Sequence, residues 1–461
     1  MKIISINVIV VLCSMLLFSS CVKQVLDKAP VSSFSAEDFY KTPADAQAGI
    51  YGIYNAVQSA FRINFAYWGE GRADNVQTTQ SGEGLILTQN NLNESMTSAN
   101  WTNLYTIISR ANYAIKYIPN AYSGGNGGAQ LIGQAHALRA LAYFYLVRVW
   151  GDVPLIVEPY NSIDQDIFVA KNSSEEVLDQ IERDLKLASA NCLDRFNSDN
   201  DRVMFTKGSA NALLTEVYMW RKKYAEAVTS SALVLNNTLY SLAKTMDEWG
   251  KIFTGGYSSE SILEVGYNET QTNSLRVLYA IGSDPVFFPS VKFRASYEKG
   301  DLRIPYVYDT TIAQPKAIWK FLGKGVSDED PSPSAQNIVL LRLADIVLLR
   351  AEALVKLGGA SNIAEALSLL NSIRSRAGLP AIENEENAAA RYGNLELAIL
   401  HERSIELCFE GKRWFDLVRT DKAIATMSPI NGLSDQRNLV WPIHVSTLNK
   451  NPNLNQNDFY R

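Results

Sequence analysis

The chain has 461 residues, a formal charge of −5 and a pI near 5.5. That balance argues against nucleic acid as a general partner, because phosphate binding needs a basic face. Hydrophobic residues make up 47% and charged ones 20%, which fits a globular body with a substantial core, organised as one large domain or as several average ones.

Lys2 precedes a mostly apolar stretch from Ile3 to Phe18, followed by Ser19-Ser20-Cys21. This is the plan of a secretory signal over residues 1–20. Asn7, Cys13 and Ser14 interrupt the stretch and argue against a stable transmembrane helix, and no later apolar run is long enough to span a bilayer. A cysteine directly after small residues is similar to a bacterial lipobox, with Phe18 where Leu or Val is commoner. Cys21 would then carry lipid and become the new N-terminus, each buried methylene adding roughly 0.8 kcal/mol of anchoring. Ordinary secretory cleavage, leaving a free thiol, is the alternative.

Thr42-Pro43-x-Asp45 predicts an N-cap and first turn, after which Ala46, Ile50, Ile53, Val57 and Ala60 recur at helical steps. Further helices are predicted near 100–118, 129–149, 174–190, 206–221, 224–236, 338–357, 363–377 and 395–419. Leu214, Tyr218, Tyr224 and Ala227 stand at spacings similar to those of tetratricopeptide repeats. The pair at 341–377 repeats the idea, with Leu341, Ala344, Leu348, Ala351 and Val355 on one stripe and Ala364, Leu367 and Leu370 on its partner. Each hairpin leaves an apolar face open, so several must stack. Two regions, 62–100 and 240–334, break the helical pattern, the second with a strand candidate at Ile262–Val265.

The last predicted helix carries Leu397, Leu400, Ser404, Leu407 and Cys408 near one face. A charged stripe runs through Arg403, Glu406, Glu410, Arg413, Asp416 and Arg419, each neighbouring pair supplying ~0.2–0.5 kcal/mol. Gly411 marks a break or cap within it. A salt-bridged scaffold helix is the favoured reading over catalysis. Cys13 leaves with the signal, so Cys192 and Cys408 remain besides Cys21. A bridge between them is open, and the apolar setting of Cys408 favours a buried free thiol.

Several catalytic readings fail. HERSI at 401–405 is not H-E-x-x-H, because Ile405 stands where the second zinc ligand belongs, and His136 and His444 are the only other histidines. The glycine run 124–128 lacks the Lys-Ser/Thr of a phosphate loop, and no G-x-S-x-G elbow occurs. Paired carboxylates for glycoside hydrolysis stay open among 48 acidic residues. No metal or cofactor is expected.

ERSIELCFEGKRWFDLVR at 402–419 resembles the C-terminal signature of the SusD/RagB family, the surface nutrient-binding lipoproteins of Bacteroidetes. Trp441-Pro442-Ile443 followed by NPNLNQNDFY at 451–460 is similar to the family's closing motif, with His444 replacing a usual proline. Arg139-Ala140-x-Ala142-Tyr143 leading into Trp150-Gly151-Asp152-Val153-Pro154-Leu155, LRLADIVLLRAEA at 341–353 and LNSIRSRAGLP at 370–380 are further typical segments. One motif is within chance; five in family order are not.

The resemblance implies a mainly α fold, a single domain over 21–461 built of tetratricopeptide-like hairpins with irregular loop-rich insertions. It implies an outer-membrane lipoprotein, attached by its lipid alone, that binds an oligosaccharide without catalysis. Its partner would be a SusC-like TonB-dependent transporter, over which it acts as a hinged lid. Residues 22–27 lack the acidic run that often accompanies surface export in this group. A peptide-carrying lid of the RagB branch, a surface glycoside hydrolase and an adhesion protein are the alternatives.

By the same resemblance, the ligand site is built from the irregular segments near 62–100 and 240–334. A pyranose stacks its apolar C–H face on Trp or Tyr, and its hydroxyls need Asp, Asn or Arg. Tyr67, Trp68, Arg72, Asp74 and Asn75 place both kinds of group within a few residues, with Trp101, Arg294, Tyr297 and Trp319 as further candidates. Packing is the competing role for each aromatic, and turn formation for Asp74 and Asn75.

Overall fold

Thr42 starts the first helix as expected: its hydroxyl accepts from the Asp45 amide while the Asp45 carboxylate accepts from the Thr42 amide. The computed structural model describes residues 39–122, 126–162, 164–279, 285–325 and 334–461; the leader at 1–20 and Cys21 lie outside them. Helix α1 (Pro43–Phe61) buries Ala46, Ile50, Ile53, Val57 and Ala60, the predicted stripe. Then come α2 (Thr102–Ala121), α3 (Ala129–Trp150), α4 (Ser174–Asn191), α5 (Lys207–Trp220), α6 (Tyr224–Leu235), α7 (Leu343–Leu357) and α8 (Ala360–Arg376). Each packs against its successor in the chain, so four hairpins stack in a row and every apolar face finds a neighbour. The fold is mainly α and built of stacked hairpins, as the spacings predict.

Three sequence expectations need correction. The predicted helix over 338–357 begins only at Leu343. Residues Ile338–Arg342 are a strand, antiparallel to Ser261–Val265, where the strand candidate was placed. IVLLR is a continuous apolar run, and periodicity does not separate a buried strand from a buried helix. On α8 the buried apolar set is Ala366, Leu370 and Ile373, whereas Ala364 is exposed; apolar residues on several sides of this helix, Ile363 and Leu369 among them, leave its inner face poorly marked.

The third correction concerns 395–419. Helix α9 (Leu395–Glu406) stops, the chain turns through Phe409 and Gly411 at φ of 66° and 75°, and α10 (Arg413–Arg419) follows. Gly411 is the break its position suggested. Its backbone presses on Gly69, where an added Cβ would lie 2.0 Å from the Gly411 carbonyl oxygen. Cys192 and Cys408 are both free and buried.

The charged stripe is no exposed ladder. Glu406 accepts from Arg303 (2.9 Å), Arg342 (2.7 Å) and Arg376 (2.5 Å), reaching the 285–325 segment, the strand and α8 at once. Glu402 and Glu410 extend this network to Arg374 and Lys320, and Glu260 joins it from the facing strand side. None of these side chains is more than 4% exposed. Burial works to raise the Glu406 pKa, but Arg376, Arg342 and Arg303 overcome it and hold the carboxylate ionised well below its ordinary range. A second buried set joins Arg403, Lys412, Arg148 and Arg419 to Asp345, Glu216, Asp416 and Glu352. With Asp301, paired to Arg303 at 2.8 Å, the first set has five cations and five carboxylates, and the second has four of each.

Removing one partner from such a set strands the others. Glu406→Gln is expected to cost ~3–5 kcal/mol, while Lys222→Ala, which breaks an exposed pair with Asp421, costs ~0–1 kcal/mol. Urea midpoints of the two variants measure the contrast.

Candidate functional site

The two irregular regions meet. Val76–Gln77 pairs antiparallel with Phe288–Pro289. Beside this two-residue ladder the Ser290 amide donates to the Asn75 carbonyl (3.0 Å) and the Ser290 hydroxyl to the Asp74 carbonyl (2.6 Å). Ser290 also caps the short Val291–Ala295 helix, accepting from the Phe293 amide. The seam is closed from a third side by α9 and α10.

A cleft of about 340 Å³ opens along it, its lining including Asp74, Asn75, Lys292, Phe293, Ser296, Tyr392, His401, Arg413, Lys422 and Thr426. Asp74 takes two hydrogen bonds from Arg413, at 2.8 and 3.2 Å, and a third contact from Lys292 Nζ at 3.2 Å. Burial pushes its pKa up, but Arg413 and Lys292 outweigh that and hold it at about 2. Asn75 donates to Glu70 Oε2, and Glu70 Oε1 accepts from the Gly411 and Lys412 amides at 2.9 and 3.2 Å. Burial raises Glu70 to about 7 despite these donors. His401 lies 5.1 Å from the Tyr392 ring, and burial lowers its pKa to about 4, leaving a neutral imidazole. The cleft therefore offers hydrogen-bond donors, one ionised carboxylate and the apolar edges of Phe293, Tyr392 and Leu400. Among the described residues Asp74, fixed by its cations, is the single carboxylate lining it.

The structure separates the nominated residues into three groups. Asp74 and Asn75 line the cleft. Arg294, Tyr297 and Trp319 are half-buried and outside its lining: Arg294 donates to the Ala313 carbonyl at 2.7 Å, and Tyr297 packs on Tyr308 and on Phe293, which does line the cleft. Tyr67, Trp68, Arg72 and Trp101 belong to the core. Trp68 is 1% exposed, donates Nε1–H to the Ser98 carbonyl at 3.0 Å, and meets Phe61, Tyr145 and Trp150. Trp101 packs on Trp150, Tyr67 on Phe287, and Arg72 lies 4.3 Å over Trp414 with its donors on the Asn438 and Leu439 carbonyls. Residues Asn64–Gly69 form a short helix with five of its six residues buried, where the sequence suggested a loop.

Sequence reasoning did not reach Lys292, Tyr392 or Lys422. Arg413 and His401 were visible only as members of a scaffold stripe and a failed zinc motif. A second groove, of about 300 Å³, lies between α1 and the Ser261–Val265 strand and is lined by Tyr51, Tyr54, Gln58, Asn200 and Gln271. It holds none of the nominated residues.

Stacked hairpins that hold inserted loops around a cleft make this a helical-repeat scaffold protein. A family model described as "SusD family" matches residues 257–460, and one described as "Starch-binding associating with outer membrane" matches 26–219. The chain belongs to the SusD/RagB family, as its motifs suggested. It is 34% identical to SusD-like protein P38 of Formosa agariphila, over 97% of each chain. It is similar to a SusD superfamily protein of Bacteroides thetaiotaomicron, at a TM-score of 0.78 and 25% identity over 92% of this chain and 99% of that one. It is likewise similar to a laminarin-binding SusD-like protein, at 0.77 and 26% over 91% and 100%. No helix among the described residues is long and apolar enough to cross a membrane.

Two measurements probe this geometry. Unfolded His401 takes a proton below its ordinary value of 6.5, whereas the folded chain refuses it until about 4. Stability is therefore expected to fall as pH drops through that window, and less so in His401→Phe. Trp68→Ala is expected to lose ~3–5 kcal/mol in chemical denaturation, as a core truncation does.

Proposed function

We propose that this chain is a surface lipoprotein that binds oligosaccharides and passes them to a SusC-like TonB-dependent outer-membrane transporter. The cleft at the seam of the two inserted regions carries this reading: it pairs ring edges with fixed polar groups, the combination a sugar needs. Support comes from full-length similarity to a laminarin-binding SusD-like protein and from the outer-membrane description of the matched N-terminal model. Binding is reversible and no bond is broken. Asp74, Asn75, Arg294, Tyr297 and Trp319 keep their nominated role around the cleft, joined by Lys292, Tyr392 and Arg413. Tethering is by lipid on Cys21. A RagB-like lid that carries peptides is the rival reading.

Calorimetry with a glycan panel and a peptide pool decides between them. Ser296→Trp fills the cleft and is expected to weaken glycan binding about tenfold or more, the equivalent of ~1.4 kcal/mol or more, with the thermal midpoint nearly unchanged. Binding of peptides alone overturns the glycan reading, and release of reducing ends from any polysaccharide overturns the non-catalytic one. Cys21→Ala is expected to move the protein from the membrane fraction to the soluble one.

A further inference from the structure

The cleft carries an excess of positive charge. Among the described residues Asp74 is its one carboxylate, and it is already shared by Arg413 and Lys292. Lys422, which also lines the cleft, has no carboxylate at ion-pair distance among the described residues. It also occupies the N-cap of the Ala423–Asn431 helix, where the helix dipole disfavours a cation. Glu298, behind the Tyr392 hydroxyl, is saturated by Arg374 and Arg391 and adds no free negative charge. Three cations thus face one anion, in a protein whose overall charge is −5. The excess is local, and it is the reverse of the balance in the two buried networks, where every cation meets a carboxylate. An unpaired lysine in a concave site with low-dielectric walls focuses a field on anions.

We infer that the cleft selects oligosaccharides that carry an anionic oxygen group, a uronate carboxylate or a sulfate ester, with Lys292 and Lys422 as its charge-reading residues. This rests on the reading of the cleft as the ligand site. Lys292 Nζ is within reach of both the solvent and Asp74, so it can turn from one carboxylate to another. Lys422 supplies a second, independent charge. An anionic group at either lysine takes charge-assisted hydrogen bonds, stronger than those to a neutral hydroxyl.

The test is calorimetry of the full protein with three ligand sets of matched length: neutral glucans, uronate-bearing oligosaccharides and sulfated oligosaccharides. The uronate set is repeated after its carboxyls are reduced to alcohols. One or both anionic sets should bind at least about tenfold tighter than the neutral one, as hydrogen bonds to charged groups allow. Carboxyl reduction should remove that advantage for uronates. Lys292→Gln and Lys422→Gln should each weaken anionic binding several-fold more than they weaken neutral binding. Raising salt from about 0.05 to 0.5 M should weaken it as well. Equal binding of neutral and anionic sugars overturns the charge inference and leaves the glycan reading standing. Binding of acidic peptides in place of sugars, or of nothing, overturns both.

Discussion

Glu406 is the point on which the architecture turns. One carboxylate with no exposure accepts from three arginines that lie 103, 64 and 30 residues away. Such a group is costly to bury and tolerable only when every partner is in place. Helix α9, the Ile338–Arg342 strand, α8 and the 285–325 segment are therefore not free to settle independently. The network works as a registry device: any shift of one element leaves a charge unpaired in a dry interior. Since replacing a balanced set with apolar residues is often neutral in stability, its value here lies in fixing positions rather than in adding energy.

That fixing reaches the cleft directly. Arg413 stands three residues beyond Glu410, a member of the network, across the tight turn at Phe409 and Gly411. The turn is held from the opposite side by Glu70, and the closeness of Gly69 to Gly411 leaves no room for a side chain at either point. Asp74 then takes its orientation from Arg413, and Lys292 from Asp74. The polar wall is thus set by contacts that begin in the buried charges, while the ring edges come from Phe293 on the Val291–Ala295 helix and Tyr392 at the end of the Glu385–Tyr392 helix.

The scaffold was legible because α1 to α6 obey local rules. A capping pair at Thr42 and Asp45, or an apolar step of three and four, needs no knowledge of distant residues. The predicted 129–149 and the observed Ala129–Trp150 differ by one residue for that reason. The strand at Ile338–Arg342 was hidden because its apolar run has no period of its own, and only the facing Ser261–Val265 declares it. The charged stripe failed differently: spacing suggested neighbours along one helix, while the real partners come from elements far away in sequence. The site was half legible. Asp74 and Asn75 are short polar residues after a glycine and do face the cleft, but Tyr67 and Trp68 belong to a short buried helix whose burial depends on α3. Aromatic residues look alike in a sequence whether they await a ligand or fill an interior.

The antiparallel ladder between Val76–Gln77 and Phe288–Pro289 has a bearing on biogenesis. Its strands are far apart in the chain, and the Asp74–Arg413 bond that borders it spans 339 positions. Loop closure over such distances comes late, because the entropy of ordering the intervening segments must first be met. The hairpins can assemble by neighbour-to-neighbour growth as the polypeptide emerges. The recess cannot, since its walls are supplied by both ends of the emerging chain. A nascent or clipped molecule lacking its final quarter would hold most of the helical stack and yet lack one wall of the recess. On the proposed reading of that recess, ligand capture is reserved for chains that have been completed.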